Sequence, residues 1–521
     1  MTVNVSEVLR ATAEADPDGV ALVEIRGGTR RQLTWRELDE SADAIARALS
    51  GRGLVAGQRV AVIMANRVDL PIAYFGILRG GMVAVPMNPR STAREVGRML
   101  TDSGARLVLC DGAGVEQVRE AAEAETDVVV DGVEPRDGET AFDAFLAGAP
   151  EAEPAAPRDA EALAVILYTS GTSGKPRGAM LTHRALIANI EQTAAIDPPP
   201  VGSDDVCLGL LPMFHIYGLN AVLGQAVFQG ATVLMADGFD PSGLLDCIRD
   251  EGVTNLPLAP PVIAAWAGRD DLREKLSGVR VVLSGASALD PDLAASFHES
   301  SGHYVEQGYG LTETAPVIAT TLGSSREPGT PPKAGSVGRP LPGIEVRVVE
   351  SSGGDAAPGD PAELWIRGDN VFSGYWPDGV EGPREDGWYP TGDIGFVDSD
   401  GDVTLVDRLR ELVIVSGFNV YPSEVEDVIG EVPGVAEVAV VGVPDESTGE
   451  AVTAFIVADS SADESTLSDA VTAHCADRLA RFKQPTRVVV VSGLPHSATG
   501  KVAKGRLRAL ARSDQLGLGA S

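Results

Sequence analysis

"QRVAVIMAN" (Gln58–Asn66) begins the region that is most informative about the fold. Short runs rich in Val and Ile alternate here with longer segments that repeat apolar residues at helical spacing. The series continues with "VDLPIAYFGILRGG" (68–81), "MVAVPMN" (82–88), "TAREVGRMLTDSG" (92–104) and "RLVLC" (106–110). Such a strand–helix–strand rhythm is typical of α/β domains with largely parallel sheets. We therefore predict an α/β fold in which helices flank the sheets.

The same alternation resumes downstream and then changes character. Strand-like and helix-like runs follow one another again in "ATVLMA", "PSGLLDCIRDEG", "VTNLPLAP" and "VRVVLSG". Beyond a Pro/Gly-rich segment (327–343), "IEVRVVE" and "AELWIRG" predict antiparallel strands instead. Between the two α/β stretches, the acidic, Ala-rich residues 131–162 are interpreted as a surface excursion.

The composition argues against several classes of protein. A length of 521 residues, 44% of them hydrophobic and 22% charged, describes a globular protein with a large core. The net charge of −33 disfavours a nucleic-acid partner, because phosphate backbones are bound through Lys and Arg. Four separated cysteines without a CxxC pair favour a reducing compartment over a disulfide framework or zinc site. No apolar run approaches the ~18 residues that cross a bilayer, so we expect a cytoplasmic protein without a transmembrane segment.

A loop rich in Ser, Thr and Gly, "YTSGTSGKPRG" (168–178), follows the apolar run "ALAVIL". Between a buried strand and a helix, such a loop can direct backbone N–H groups and hydroxyls toward phosphate oxygens. It is not a Walker A motif, because Thr169 stands where that motif needs glycine and Pro176 follows the lysine. Taken alone, the loop is equally compatible with a basic linker.

Four further motifs decide between these interpretations. They are "YGLTETAP" (309–316), "YPTGDIG" (389–395), "DRLRELVIVSGFNVYPSEVE" (407–426) and "SATGKVAK" (497–504). Singly, Glu313 could be a helix-start carboxylate, Asp393 a turn former and Lys501 a surface charge. In this order and spacing, the motifs resemble those of the adenylate-forming enzymes: acyl-CoA synthetases, aryl-CoA ligases, luciferases and the adenylation domains of peptide synthetases. The resemblance covers nearly the whole chain.

The resemblance implies a two-step reaction and a two-domain fold. A carboxylic acid and ATP give an acyl-adenylate and pyrophosphate, and the acyl group then passes to a thiol. The implied architecture is a large N-terminal domain (1–406) of parallel sheets flanked by helices, with a β-barrel-like subdomain. A small, mobile α+β C-terminal domain (407–521) would turn about a hinge at Asp407. ATP, Mg²⁺ and CoA are the implied cofactors, and a monomer or homodimer is expected.

The nucleotide-binding residues are assigned by position in the matching motifs. Tyr309 would stack on adenine, and Asp393 would accept hydrogen bonds from the ribose with Arg408 as a second contact. The remaining residues of the implied ATP site are Thr169, Ser170, Gly171, Thr172, Ser173, Gly174 and Lys175 around the phosphates, and Gly285, Ala286, Ser287, Gln307 and Gly308 around the base.

Four residues are implied in catalysis. Lys501 would bridge the substrate carboxylate and the α-phosphate, a task that suits a flexible point charge. Glu313 would be the metal-associated carboxylate for Mg²⁺, and Thr312 would present a hydroxyl to the phosphates. His215, in "LPMFHIYGLNAV", would lie beside the acyl site.

The implied acyl pocket carries no charge. Its residues are His215, Tyr217, Ala221, Val282, Gly285, Gly310, Pro316 and Val317. An amino acid or a dicarboxylate would leave a charge buried and unpaired there, so a hydrophobic acid is expected. "SGFNVYPSEVE" and "VVGVPDESTGEAV" are similar to fatty-acyl-CoA ligases, whereas "PMFHIYGLN" is similar to aryl-CoA ligases. We favour a medium- or long-chain fatty acid, with an aryl or hydroxycinnamate-type acid as the alternative.

The acceptor is expected to be CoA, and loading of an acyl carrier protein is the alternative. Gly417 and Phe418 would lie along the pantetheine arm, where a missing side chain permits close approach. Nine Lys or Arg and no Asp or Glu occur between Arg478 and Arg512, and Lys483 of this basic stretch would meet the phosphates of CoA. Ile414 stands where luciferases and plant aryl-CoA ligases carry a lysine, which counts against those two subgroups.

Overall fold

The structure is a computed structural model that forms two compact units. It describes residues 3–122, 126–149, 159–169, 176–236, 238–287, 289–324, 330–408, 411–415, 418–445, 448–460, 462, 464–479, 481–496 and 501–515. Unit 1 comprises Met1–Glu345 and Ile366–Tyr389, and unit 2 comprises Val346–Trp365 and Pro390–Ser521. Residues 346–365 and 390–406 thus group with the C-terminal part of the chain. The domain division at residue 407 stays a prediction.

The strands are numbered along the described chain. They are β1 (Val20–Arg26), β2 (Thr29–Thr34), β3 (Arg59–Ile63), β4 (Val83–Pro86), β5 (Leu107–Asp111), β6 (Asp127–Asp131), β7 (Glu139–Ala141), β8 (Leu163–Thr169), β9 (Arg177–Thr182), β10 (Val206–Gly209), β11 (Thr232–Met235), β12 (Asn255–Leu258), β13 (Val281–Ser284), β14 (Val305–Gly310), β15 (Val317–Thr320), β16 (Ser336–Pro340), β17 (Glu345–Val349), β18 (Ala362–Arg367), β19 (Tyr389–Val397), β20 (Val403–Arg408), β21 (Val413–Val415), β22 (Phe418–Val420), β23 (Val435–Asp445), β24 (Gly449–Ala458) and β25 (Arg487–Val491).

The helices are numbered in the same way. They are α1 (Val5–Ala15), α2 (Trp35–Gly51), α3 (Asp69–Arg79), α4 (Ala93–Ser103), α5 (Val115–Ala121), α6 (Phe142–Ala147), α7 (His183–Ala194), α8 (Gln225–Gln229), α9 (Pro241–Asp250), α10 (Pro260–Trp266), α11 (Leu272–Lys275), α12 (Pro291–Ser301), α13 (Pro422–Gly430), α14 (Glu464–Arg478) and α15 (Lys504–Gln515). A π-helix (Tyr217–Gly224) precedes α8, and 3-10 turns occupy Thr312–Thr314 and Thr321–Gly323.

Unit 1 contains two sheets. One has the strand order β16-β15-β14-β13-β12-β10-β11-β1-β2, parallel from β14 to β1 and antiparallel at both ends. The other has the order β7-β6-β5-β3-β4-β8-β9, parallel except for the β8–β9 pair. Fully buried side chains such as Trp266 and Phe297 form part of the core of the first sheet. Parallel strands buried under helices are the arrangement that the alternation in the sequence predicts.

Unit 2 is mostly antiparallel. Strands β17, β18, β19 and β20 are neighbours in that order, although β17, β18 and β19 each carry residues of unit 1 as well. A second sheet has the order β22-β21-β24-β23, with β25 parallel to β24. Helices α13 and α14 cover this sheet through buried Val425, Ile429, Leu467 and Val471. The small α+β unit expected toward the C-terminus is therefore present.

Local sequence signals account for several boundaries. Thr92 caps α4: its hydroxyl accepts a hydrogen bond from the backbone N–H of Glu95, whose carboxylate accepts one from the backbone N–H of Thr92. This reciprocal arrangement satisfies N–H groups that have no partner within the helix. Gly104, which follows α4, has a left-handed backbone conformation with a φ of 60°, which glycine adopts without a steric penalty.

The α/β prediction, with a large N-terminal domain and a smaller C-terminal one, is confirmed. The surface excursion expected at 131–162 is wrong for part of its length, because β7 pairs with β6 and α6 buries Phe142 and Phe145. Within the described residues, no helix has both the length and the apolar character to span a membrane. The expected location and the monomer or homodimer stay predictions.

Candidate active site

The two strands that flank the predicted phosphate loop, β8 and β9, pair antiparallel. Thr169 ends β8 and Arg177 begins β9, and the two residues face each other in the antiparallel ladder. The candidate residues 170–175 between them lie outside the described residues. A strand, β9, follows the loop, and the first helix after it, α7, starts only at His183. The strand forms because residues 177–182 pair with β8, so the hairpin itself would present the phosphate-binding groups.

Glu313 and Thr312 lie in a short 3-10 turn that neighbouring groups hold from several directions. The backbone N–H of Phe372 donates to the Glu313 carbonyl at 2.9 Å. The Asn370 amide donates to the Thr314 carbonyl at 2.7 Å, and Asn370 is completely buried. The turn is therefore fixed by the segment 370–376, to which the sequence analysis assigned no role.

The Glu313 carboxylate is bound by a phenol. Tyr375 Oη donates to Glu313 Oε1 at 2.5 Å. Burial and the Glu313 charge raise the pKa of Tyr375, so its hydroxyl remains protonated and donates. The Arg177 guanidinium lies 3.6 Å from the centre of the Tyr375 ring and pairs with Glu381 Oε2 at 2.8 Å. The sequence signal for this cluster was the aromatic-rich run "FSGYWPD" (372–378).

Three of the residues assigned to the base, Gln307, Gly308 and Tyr309, lie on β14. Tyr309 is buried, and the backbone N–H of Gln307 donates to Thr321 Oγ1 at 2.8 Å. A Cβ placed on Gly308 would meet no atom within 4 Å, so open space lies beside this glycine. The segment thus combines a fixed backbone with room for a flat ring, which is compatible with the predicted base site.

Two residues of the predicted acyl pocket are in direct contact. Gly285 follows β13, and a Cβ on it would lie 2.5 Å from Cε1 of Tyr217. A larger residue at 285 would therefore displace the Tyr217 ring. The next residue, Ala286, has a φ of 70°, a left-handed conformation that is rare for an L-residue with a side chain. Strained backbone of this kind often occurs at functional sites. Ser287, also assigned to the base, follows directly.

Gly310 has an explanation in the fold itself. A Cβ on Gly310 would lie 2.0 Å from the carbonyl oxygen of Pro316, which accepts a hydrogen bond from the backbone N–H of Leu311 at 3.1 Å. Val317 is fixed as well, since its N–H donates to Asn189 Oδ1 at 2.9 Å. The structure thus brings Gly310, Pro316 and Val317 together, and the backbone requires the glycine whatever the substrate.

His215 lies in the loop before the π-helix that carries Tyr217 and Ala221. Its ring centre is 4.7 Å from that of Phe214. Asn66, buried after β3, holds this loop: its amide donates to the Leu211 carbonyl at 2.8 Å and its Oδ1 accepts from the Met213 N–H at 3.1 Å. Asn66 was not identified from the sequence, where it is one polar residue after an apolar run.

Asp393 and Arg408 of unit 2, both assigned to the ribose, are opposite each other across β19 and β20. Asp393 is buried. Asp407, the predicted hinge residue, pairs with Ile394 in the same ladder, and the side chains of residues 407 and 408 are outside the described part. Two strands therefore bring together ribose candidates that are 15 positions apart in the sequence.

Lys501 is exposed, and the segment that follows it is anchored by Lys504, whose side chain is largely shielded from solvent. His496 and Val502 form a β-bridge, and the N–H of Ala503 donates to the Pro495 carbonyl at 2.6 Å. At the start of α15, Lys504 Nζ lies 3.0 Å from a Glu411 oxygen and 2.9 Å from a Glu426 oxygen. Glu411 and Glu426, from the region before β21 and from α13, thus fix the chain just after Lys501.

The candidate CoA residues are only partly described. Phe418 begins β22 and pairs with Val415, whereas Gly417 and the Phe418 side chain lie outside the described part. The Lys483 ammonium lies 2.5 and 2.7 Å from the two carboxylate oxygens of Glu424. A phosphate that approaches Lys483 would therefore meet an ion pair.

Within the described residues, no group of three or more His, Cys, Asp or Glu side chains is arranged to hold a metal ion. Proteins commonly hold Mg²⁺ through one or two carboxylates together with substrate phosphates. Glu313 would supply such a carboxylate. A cation at this site would thus depend on a bound nucleotide.

The comparisons with known proteins agree with these observations. A family model described as AMP-binding enzyme matches residues 9–376, and one described as AMP-binding enzyme C-terminal domain matches 424–501. The chain is 35% identical to 4-coumarate–CoA ligase-like 9 of Oryza sativa, over 97% of this chain and 92% of that protein. It is 33% identical to the long-chain-fatty-acid–CoA ligase of Salmonella typhimurium, over 92% and 90%. ATP-bound MatB from Rhodopseudomonas palustris is 32% identical and superposes with a TM-score of 0.87, covering 98% and 99% of the two chains.

Proposed function

This chain belongs to the AMP-binding enzymes, the adenylate-forming family, and we propose that it joins a hydrophobic carboxylic acid to CoA through an acyl-adenylate. ATP would be converted to AMP and pyrophosphate. A medium- or long-chain fatty acid is the substrate class that we favour.

One observation carries the proposal: the carboxylate that would serve the metal is tied to the hairpin that would bind phosphate. The N–H of Phe372 donates to the Glu313 carbonyl, and the N–H of Trp376 donates to the Gly178 carbonyl at 2.8 Å. Residues 372–376 therefore join the Glu313 turn to β9, the strand that follows the phosphate loop. A site for a nucleoside triphosphate needs a phosphate-binding loop and a carboxylate for the cation at fixed positions relative to each other.

In the first step, a carboxylate oxygen of the acid attacks the α-phosphorus. The bond from that phosphorus to the bridging oxygen breaks, and pyrophosphate leaves with the electron pair. Both reactants are anions, so positive charge beside them lowers the barrier. We assign that charge to Lys501, while Thr312 and Thr169–Lys175 would orient the phosphates.

The residues present fit a Mg²⁺ ion that is shared with ATP. Glu313 would hold it together with phosphate oxygens, and the ion would supply charge neutralisation when bound. Asp393 and Arg408 would orient the ribose, and Tyr309 the adenine. These contacts would set the α-phosphorus for in-line attack.

In the second step, the sulfur of CoA attacks the acyl carbonyl carbon. The bond from that carbon to the phosphate oxygen breaks, AMP leaves, and the thiol proton is lost to solvent. Phe418 and Lys483 are proposed contacts of CoA, together with Gly417. Loading of an acyl carrier protein would use the same adenylation residues with a different acceptor.

The acyl pocket supports a hydrophobic acid, with Tyr217 as its main wall. An aryl acid of the hydroxycinnamate type is a second candidate, because the Tyr217 ring packs on Gly285 and could stack on a flat substrate. The names of the curated relatives include both classes, 4-coumarate–CoA ligases and long-chain-fatty-acid–CoA ligases. The pocket residues do not include a carboxylate for a substrate ammonium, which argues against an amino acid.

Mass spectrometry of a single reaction tests the proposal. The purified chain is incubated with Mg-ATP, CoA and a mixture of fatty, hydroxycinnamic and amino acids. We expect AMP together with a fatty-acyl-CoA. A hydroxycinnamoyl-CoA would shift the assignment to the second candidate, and acyl-adenylate without thioester would indicate a carrier protein. ADP and phosphate as products would contradict the proposal.

Lys501→Ala should slow adenylation at least ~100-fold, the lower range for removing one preorganised electrostatic contact. Pyrophosphate release measures this step without CoA. Arg26→Ala, which removes an exposed cation of β1, is the control for a change in net charge and should retain the rate. An unchanged rate in Lys501→Ala would remove Lys501 from this role.

A further inference from the structure

The segment of residues 370–376 grips the Glu313 turn on one side and β9 on the other. Toward the turn, Asn370 and Phe372 hydrogen-bond the backbone of residues 313 and 314. Toward β9, the N–H of Ser373 donates to the Met180 carbonyl at 3.0 Å, and the N–H of Met180 donates to the Gly374 carbonyl at 3.0 Å. The segment therefore fixes the Glu313 turn relative to β9, the strand that follows the predicted phosphate loop.

Tyr375 reaches the carboxylate itself. Its hydroxyl donates to Glu313 Oε1 at 2.5 Å. The Phe372 and Tyr375 rings pack edge to face, with their centres 5.1 Å apart. The centre of the Tyr375 ring also lies 3.6 Å from the Arg177 guanidinium. A phenol packed against an aromatic ring and a cation has little rotational freedom.

The chemistry of this donor is suited to a cation site. A neutral hydroxyl fixes the orientation of a carboxylate but leaves its negative charge, whereas a direct Arg or Lys partner would cancel it. The nearby cation, Arg177, is paired with Glu381 at 2.8 Å and stacks on the ring instead. With Oε1 bound by Tyr375, Glu313 would present Oε2 to an incoming cation in a defined direction.

We propose that Tyr375 is a positioning residue, which orients the Glu313 carboxylate for the Mg²⁺–ATP complex while Arg177, paired with Glu381, packs against the Tyr375 ring. This inference rests on the proposed function, since it concerns the carboxylate assigned to the metal. Partners that orient a metal ligand commonly contribute 10–100-fold to metal affinity or activity.

Calorimetric titration with ATP tests the role without turnover, because no acid is present. Wild type and Tyr375→Phe are each titrated in excess Mg²⁺ and in EDTA. We expect equal ATP affinities in EDTA. In Mg²⁺, we expect Tyr375→Phe to bind ATP about 10-fold more weakly than wild type. An equal gain from Mg²⁺ in both proteins would overturn the proposal.

Tyr168→Phe is a matched control. Tyr168 Oη also donates to a carboxylate, Asp102 Oδ2, at 2.6 Å, and Tyr168 lies on the strand before the phosphate loop. Its loss should leave the gain from Mg²⁺ as in wild type. The same loss in Tyr168→Phe as in Tyr375→Phe would overturn the proposal, because the effect would then come from packing near the hairpin.

Glu313→Gln closes the cycle and separates two kinds of failure. If Tyr375 acts through Glu313, Tyr375→Phe should have no further effect on ATP binding in the Glu313→Gln background. If the effects of Tyr375→Phe and Glu313→Gln on ATP binding add, Tyr375 does not act through Glu313 and the proposal is overturned. This holds whether or not Tyr375→Phe also lowers stability. Wild type whose ATP binding does not respond to Mg²⁺ would overturn the proposed function at its first step, and this inference with it.

Discussion

The turn that carries Glu313 and the segment that follows Lys501 are held by different interactions. Around Glu313, in unit 1, the partners are neutral: the N–H of Phe372, the amide of Asn370 and the phenol of Tyr375. These hydrogen bonds are short and directional, and none of their donors brings a charge. The turn is therefore fixed without cancelling the negative charge that a cation would need.

Near Lys501, in unit 2, the anchor is ionic. Lys504 lies between Glu411 and Glu426, and its side chain is only 13% exposed. Burial opposes the charged form of Lys504, but the two carboxylates outweigh it and raise its pKa. A proposed metal carboxylate is thus held by neutral donors, whereas the segment after a proposed catalytic lysine is held by opposite charges.

Among the substitutions, removal of the ionic anchor Lys504 should lower stability most. Lys504→Met should destabilise unit 2 by about 3 kcal/mol, the low end for breaking a buried ion pair, because its partners Glu411 and Glu426 stay partly exposed (27% and 19%). Hydrogen exchange of the α13 and β23 amides reports unit 2 directly. Lys483→Met is the matched control, because Lys483 also pairs with a glutamate of α13 but is more exposed, as is its partner Glu424 (24% and 40%).

That control should cost only about 0–1 kcal/mol, as is typical of an exposed pair. Equal losses in Lys504→Met and Lys483→Met would contradict the claim that burial makes the Lys504 anchor strong. The contrast with the neutral Glu313 turn would then disappear.

A fall in pH should act on unit 1 through His183. Burial lowers the pKa of His183 to about 4 from an ordinary 6.5, and its Nδ1 accepts the Val5 N–H at 3.1 Å. Between these values the unfolded chain binds the proton and the folded one does not, so stability is lost as pH falls. From pH 7 to pH 4 the loss is about 3 kcal/mol.

Urea unfolding of wild type and His183→Gln at pH 7 and pH 4 measures this term. The variant keeps a hydrogen-bond acceptor and does not titrate, so its loss on acidification should be smaller than that of wild type by about 3 kcal/mol. The same pH dependence in both proteins would show that His183 is not the sensitive group. The acid sensitivity of unit 1 would then need another explanation.

The sequence predicted the frame better than the contacts between distant segments. The helical spacing of apolar residues in 92–104 predicted α4, because such a pattern involves residues close in sequence. The strand after the phosphate loop was missed, because β9 forms only by pairing with β8. Tyr375 and Glu313 are 62 positions apart, so nothing local in either motif revealed their hydrogen bond.

Gly310 shows the same limit from the other side. The sequence analysis assigned it to the acyl pocket on the strength of a motif. In the structure, a Cβ on Gly310 would lie only 2.0 Å from the carbonyl oxygen of Pro316. A pattern in one sequence cannot separate a glycine that makes room for substrate from one that makes room for backbone, since the same residue serves both needs.

The smallest effect comes from the neutral side of the comparison. Asn370→Ala removes the amide that donates to the buried Thr314 carbonyl, and the unsatisfied acceptor should cost about 2 kcal/mol in urea unfolding. Asn370 holds the backbone of the turn and not the carboxylate, so Tyr375→Phe should reduce the effect of Mg²⁺ on ATP binding more than Asn370→Ala does. If Asn370→Ala destabilises the protein more than Lys504→Met, the neutral anchor is the stronger one. The ranking of the two anchors by stability would then be reversed. The hydrogen bond from Asn370 to the backbone would contribute more to the rigidity of the Glu313 turn than Tyr375 does.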